Sequence, residues 1–145
     1  MAKAVYIMGS LKNPEVPSLA NDIQSLGVEA FCDWFSPGPN ADDHWRDYSK
    51  ARGLTYAEAL QSYAATHIFE FDKFHLDRCD AGVLLMPAGK SAHLEFGYMI
   101  GTGKPGYMLI EAEEPRWDIM VQFATKIFFK RSSLLAELAL NFGGM

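Results

Sequence analysis

The chain alternates short apolar runs with stretches where apolar residues recur three and four positions apart, and each change of period marks a new element. Ala4 to Met8 (AVYIM) is apolar throughout and closed by Gly9-Ser10, the pattern of a strand buried on both faces. Val16, Leu19, Ala20, Ile23 and Leu26 then share a helical face, with Gly27 behind them as a C-cap. Val28 to Asp33 reads as a second strand, leading into a Pro-, Gly- and acid-rich loop, Ser36 to His44, flanked by Trp34 and Trp45. Thr55 and Glu58 form a T-x-x-E capping box ahead of Ala57, Leu60, Ala64, Ile68 and Phe71, which lie on one face. A single helix from Thr55 to Cys79 is long for a small domain, so a break is expected near Glu70–Asp72. Ala81 to Met86 is a third buried strand, ended by Pro87-Ala88-Gly89, and a helix from Ala92 to Gly101 follows. Gly106 to Ile110 is the fourth strand, Glu111 to Arg116 an acidic turn and Trp117 to Ala124 a helical stretch. Ile127 to Phe129 is a short fifth strand, and Ser133 to Phe142 a closing helix carrying Leu134, Leu135 and Leu138.

Strands and helices in strict alternation predict an α/β fold: a doubly wound, flavodoxin-like or Rossmann-like parallel sheet of five strands with helices on both faces. The 145 residues fit one domain spanning positions 1–145. In such folds ligands bind beyond the carboxyl ends of the strands. The segments to search are therefore Gly9–Asn13, Trp34–Trp45, Pro87–Ala92 and Glu111–Trp117.

Composition narrows the partners. With 49% hydrophobic and 21% charged residues the chain has enough apolar surface to fold. A net charge of −5 and a pI near 5.3 argue against nucleic-acid binding, which needs a surplus of cations. No apolar run approaches a membrane span of roughly 20 residues. The opening MAKAVYIMGS lacks the layout of a signal peptide, and Cys32 and Cys79 are too few for a disulfide framework. The expectation is a cytoplasmic protein with reduced thiols.

Two glycine motifs fail on context. Gly89-Lys90-Ser91 resembles the end of a Walker A loop, but Leu84 stands where the first glycine is required. Gly101 to Gly106 has G-x-G-x-x-G spacing, yet it joins a helix to the next strand and reads as a C-cap turn. His44, His67, His75 and His93 share no ligand spacing with the cysteines, so no metal site is expected, and His67 and His75 read as packing or capping residues. Glu95 lies in the first turn of the predicted helix after strand three, where the positive helix end would keep it ionised. The loop ahead of it offers backbone amides and Ser91 to an anion or a sugar hydroxyl. The alternative is that Glu95 merely stabilises the helix start. Asp72, amid Phe69, Phe71 and Phe74, is by its pattern alone a surface acid; Asp80 is a strand-start residue. Trp34, Asp43 and Trp45 supply rings that stack on a base and a carboxylate that accepts from its amines.

Glu95-Phe96-Gly97-Tyr98, followed by Gly103-Lys104-Pro105, resembles the E-L-G-Y-x-x-x-x-G-K-P signature of the nucleoside 2-deoxyribosyltransferase family. The strand Val5 to Met8 with its Gly9-Ser10 turn is similar to that family's opening. Asp72 and Asp80, ahead of an apolar strand, resemble its D-x7-D-x-V-V-A stretch. The pieces span Val5 to Ile110 in the family's order. The resemblance implies cleavage of the N-glycosidic bond of a (deoxy)nucleoside or nucleoside monophosphate. Glu95 would be the nucleophile, Asp72 the acid that contacts the sugar and assists, and Tyr6 the tyrosine beside the nucleophile. One branch hydrolyses deoxynucleoside 5′-monophosphates, and Gly9, Ser10, Lys12, Gly89 and Ser91 fall where that branch holds phosphate. That branch carries a serine six positions before the nucleophile, where this chain has Gly89.

The expected chemistry is that of a retaining glycosidase: a glycosyl-Glu intermediate released by water or by a second base, with no cofactor. The alternatives are a noncatalytic nucleotide-binding module of the same fold and a glycohydrolase acting on a dinucleotide such as NAD. The family resemblance and the aromatic stretch Phe69–Phe74 suggest a homodimer or larger homo-oligomer, unless those rings are core.

Overall fold

The computed structural model describes residues 3–143. Five strands, β1 (Ala4–Met8), β2 (Glu29–Phe31), β3 (Ala81–Leu85), β4 (Gly106–Leu109) and β5 (Lys126–Phe128), form one sheet in the order β2-β1-β3-β4-β5. Every neighbouring pair is parallel. This is the flavodoxin-like order, and its topological switch point lies between β1 and β3.

The strands are apolar at successive positions because both faces are covered. Val5, Ile7, Val83, Leu85, Tyr107 and Leu109 face one core, with α1 (Val16–Gln24) and α6 (Arg131–Phe142) over it. Ala4, Tyr6, Met8, Leu84 and Met108 face the other, under α4 (Tyr63–Arg78) and α5 (Lys90–Gly101). The period of two along β1 therefore assigns Tyr6 to the α4–α5 side. After α5, Gly103 takes φ 90°, and the chain turns into β4 as a C-cap turn. Among the described residues no helix is long and apolar enough to cross a membrane.

Several boundaries depart from the sequence reading, each for a local reason. The capping box at Thr55 forms, with reciprocal Thr55–Glu58 bonds, but it opens only the short helix α3 (Tyr56–Ala59). The break falls at Leu60–Ser62, where Ser62 Oγ accepts from the Ala65 amide and donates to the Ala59 carbonyl, capping α4 afresh. α4 then runs unbroken through Glu70–Asp72, which contains neither glycine nor proline. The expected Trp34–Trp45 loop holds a 3-10 turn, Asp33–Phe35, and the start of α2 (Ala41–Ala51); its prolines and glycine all precede that helix. Trp117–Ala124 narrows to a 3-10 turn, Ile119–Phe123, with Asp118 capping the Met120 amide. α5 begins at Lys90, two residues early, so Glu95 lies beyond the first turn and the helix end is not beside it.

Candidate active site

Three side chains from three elements converge on the α4–α5 side of the sheet, above β1. Tyr6 projects from β1 and is fully buried, and its hydroxyl donates to Glu95 Oε2 at 2.9 Å. Glu95 comes from α5, on a helical face with the buried Ala92 and Met99. Asp72 comes from α4, one turn before the buried Leu76, and its charge acts on both Tyr6 and Glu95. A strand residue and two helical residues 23 positions apart thus share one site, because parallel crossovers lay α4 and α5 side by side on β1.

The electrostatics reverse the sequence expectation for Glu95. Burial raises its pKa to about 7; the Tyr6 hydroxyl opposes that rise and the Asp72 charge adds to it. Glu95 is therefore about half ionised at neutral pH. Burial likewise lifts Asp72 to about 6. The Tyr6 hydroxyl is driven far above its ordinary value, by burial first and by the Glu95 and Asp72 carboxylates next. Tyr6 is thus a neutral donor at every working pH. The site can hold a carboxylate that charges near neutrality, fix its orientation from below and set a second carboxylate beside it. That is the equipment for nucleophilic or proton-transfer chemistry.

Beyond the switch point a hollow of about 320 Å³ is lined by Ser10, Lys12, Asn13, Pro14 and Pro87 to Gly89. Ser10 Oγ accepts from the Lys12 amide, which shapes the turn after β1. Gly89 is the N-cap of α5 and has no side-chain cap, so backbone amides remain open there. A Cβ on Gly9 would lie 3.4 Å from Val16, close under the start of α1. Ser91, the second residue of α5, is exposed and outside the lining of this hollow. Asn13, Pro14, Pro87 and Ala88 complete the wall; all but Pro14 lie in the segments after strands one and three where a ligand is expected.

The tryptophans behave differently from a solvent loop. Trp34 Nε1 donates to the Ile7 carbonyl at 2.7 Å and its ring packs against both cores, so its polar edge is engaged. Trp45 packs edge-on against Tyr56, 6.4 Å between centroids, and its Nε1 is buried without a partner. Asp43 pairs with Arg46 on the exposed side of α2. His75 is a packing residue: it stacks on Phe31 at 3.9 Å. Asp80 opens β3 and accepts from the Ala4 amide at 2.9 Å. No cluster of metal-ligating side chains occurs among the described residues. A larger cleft, about 1170 Å³, opens on the other side of α5, between Phe96, Ile100 and the segment 110–123. Tyr6, Asp72 and Glu95 are not part of it.

No protein-family model and no curated protein matches this chain. Among solved structures it is similar to the CMP N-glycosidase BcmB of Clostridium botulinum, at 16% identity and a TM-score of 0.56, over 94% of this chain and 98% of that one. The likeness extends to the whole doubly wound sheet and its helices, and it is a likeness of fold.

Proposed function

We propose that this protein cleaves the N-glycosidic bond of a nucleoside or nucleoside monophosphate, with Glu95 as nucleophile. The observation that carries the reading is the Tyr6–Glu95 hydrogen bond with Asp72 alongside, next to the switch point of the sheet. The similar fold of a CMP N-glycosidase supports it, as does the match of Glu95, Tyr98 and Lys104 to the family signature.

Tyr6 holds Oε2 of Glu95 and leaves the other oxygen to attack the anomeric carbon. The C–N bond breaks, the base departs with the bonding pair, and an ester joins the sugar to Glu95. Ionised Asp72 accepts a hydrogen bond from a sugar hydroxyl. Water, or a second base, then attacks the anomeric carbon and regenerates the carboxylate. Ser10, Lys12 and the open backbone amides where Gly89 starts α5 suit a 5′-phosphate in the hollow beyond β1 and β3, whereas Ser91 lies outside that hollow. Trp45 and Asp43 on α2 are the candidates to hold the base. Tyr63, Phe69 and Phe74 are 96%, 64% and 63% exposed, so these rings are not core. A second copy of the chain covers them in this reading, and sedimentation at micromolar concentration is expected to give a dimer or larger.

Incubation with a panel of deoxynucleosides, ribonucleosides and their 5′-monophosphates is expected to release free base from at least one. Glu95→Gln is expected to abolish that release. Turnover by Glu95→Gln at the parent rate overturns the reading, and a parent protein that binds nucleotides but releases no base makes it a binding module.

A further inference from the structure

The signature residues Tyr98 and Lys104 do not touch the three side chains above, yet both reach across to α4. Tyr98 lies three residues after Glu95, on the side of α5 that faces α4, and its hydroxyl donates to Asp77 Oδ1 at 2.5 Å. Lys73, one turn earlier on α4, holds the other oxygen of Asp77 at 2.9 Å, with its ammonium 5.6 Å from the centre of the Tyr98 ring. Lys104 follows the turn that ends α5. Its ammonium donates to the Leu76 carbonyl at 3.1 Å and to the Asp77 carbonyl, closing the C-terminal end of α4.

Few other contacts decide how α4 lies. Its 16 residues span about 24 Å, and Leu76, near its end, is its one buried residue. On the β2 side it is held by the His75–Phe31 stack and the Arg78–Glu29 pair. On the α5 side the polar ties are those of Tyr98 and Lys104. Asp72 sits five residues, or about 7.5 Å along the axis, from Asp77, so a pivot at the end of the helix moves its carboxylate relative to Glu95.

We propose that Tyr98 and Lys104 are positioning residues that clamp α4 to α5 and so set the separation of Asp72 from Glu95. The assignment rests on the N-glycosidase reading for its kinetic consequence only; the geometry of the site is a property of the folded chain. The groups facing Glu95 are Tyr6 from β1 and Asp72 from α4. Loosening α4 admits water between them and separates the two carboxylates. Exposed ion pairs such as Lys73–Asp77 contribute little to global stability, so the clamp acts locally.

The test compares Tyr98→Phe, Lys104→Met and Lys104→Arg with the parent. Base release gives kcat and KM, and a carbon-13 NMR titration follows the Glu95 carboxyl, assigned with Glu95→Gln. In Tyr98→Phe and Lys104→Met, kcat is expected to fall ~10- to 100-fold with a smaller change in KM. The Glu95 midpoint is expected to move down from about 7 toward the ordinary 4.5. Lys104→Arg, which still donates to both carbonyls, restores both quantities. A Glu95 midpoint that stays near 7 in Tyr98→Phe and Lys104→Met, with kcat at the parent value, overturns the clamp. If Lys104→Met fails to fold, Tyr98→Phe decides alone, since it removes a single hydroxyl. If the parent releases no base, the N-glycosidase reading fails, and the NMR midpoint alone still decides the clamp.

Discussion

The two faces of the sheet are built from the same strands and do opposite work. Under α1 and α6 the core is apolar save for the Tyr107 phenol, which burial also pushes up, and it holds no carboxylate: Val5, Ile7, Leu19, Ile23, Val83, Leu109, Leu134 and Leu138 make up its bulk. Under α4 and α5 the same strands contribute Tyr6, Met8, Leu84 and Met108, but the helices above add Asp72 and Glu95. Burial there lifts both carboxylates well above their ordinary values. One face stabilises the fold, and the other holds charge where water would otherwise be. The difference shows why the proposed site lies on the α4–α5 side of this layer fold: that is the face where stability has been given up.

The sharpest way to break this comparison is Glu95→Gln. The amide keeps the shape and accepts from Tyr6 but cannot attack, so base release is expected to fall by at least ~10³-fold. Stability is expected to move the other way. The folded pKa of Glu95 is raised, so folded protein binds the proton more tightly than unfolded chain between about 4.5 and about 7. Its burial therefore costs nothing at low pH, costs progressively more as pH rises through that window, and is constant above it. That gap corresponds to ~3 kcal/mol at most, so Glu95→Gln should melt higher than the parent at pH 8 and level with it at pH 4.5. A mutant that melts lower at pH 8 would return Glu95 to the role of a helix-stabilising acid.

On the dry face the expected pattern inverts. Leu19 is fully buried, and Leu19→Ala is expected to lose ~2–5 kcal/mol of stability to lost burial and a residual cavity. Turnover per folded molecule should remain at the parent value; denaturant melts and active-site titration check the two halves. A large loss of turnover in the folded fraction would mean that the faces are not independent.

A smaller effect sharpens the polar side. The two carboxylates titrate as a pair, with apparent midpoints near 6 and 7. The value of kcat/KM is expected to decline as pH falls through about 7, and more steeply near 6, because both groups act ionised. Tyr6→Phe removes the one hydrogen bond that holds the Glu95 value down. The upper midpoint should then rise above 7 and kcat fall ~10-fold, the scale of one oriented hydrogen bond to a charged group. A rate that climbs as pH drops below 7 would instead make Glu95 a proton donor.

How much of this was legible before the structure can be judged element by element. The five apolar runs identified the strands within a few residues, because a strand buried on both faces carries its own signature. The Thr55–Glu58 box was equally legible, since its partners are three residues apart. Ser62 as a second cap, α2 behind its prolines and the early start of α5 were missed. Each depends on which of several competing local bonds the surrounding packing favours.

The alternation along β1, the order of strand and helix, and the spacing of Glu95, Tyr98 and Lys104 are properties of the sequence by itself. The first two determine the layer fold, because periodicity and local capping act over a few residues, and the third nominates the carboxylate through its resemblance to a family signature. That Tyr6 lies under Glu95, that Asp72 faces it from a helix ending 12 residues before α5 begins, and that Glu95 charges near neutrality instead of well below it were decided only by the tertiary structure. Proximity across crossovers and the loss of water around a carboxylate arise when distant segments pack, and no window of sequence contains them.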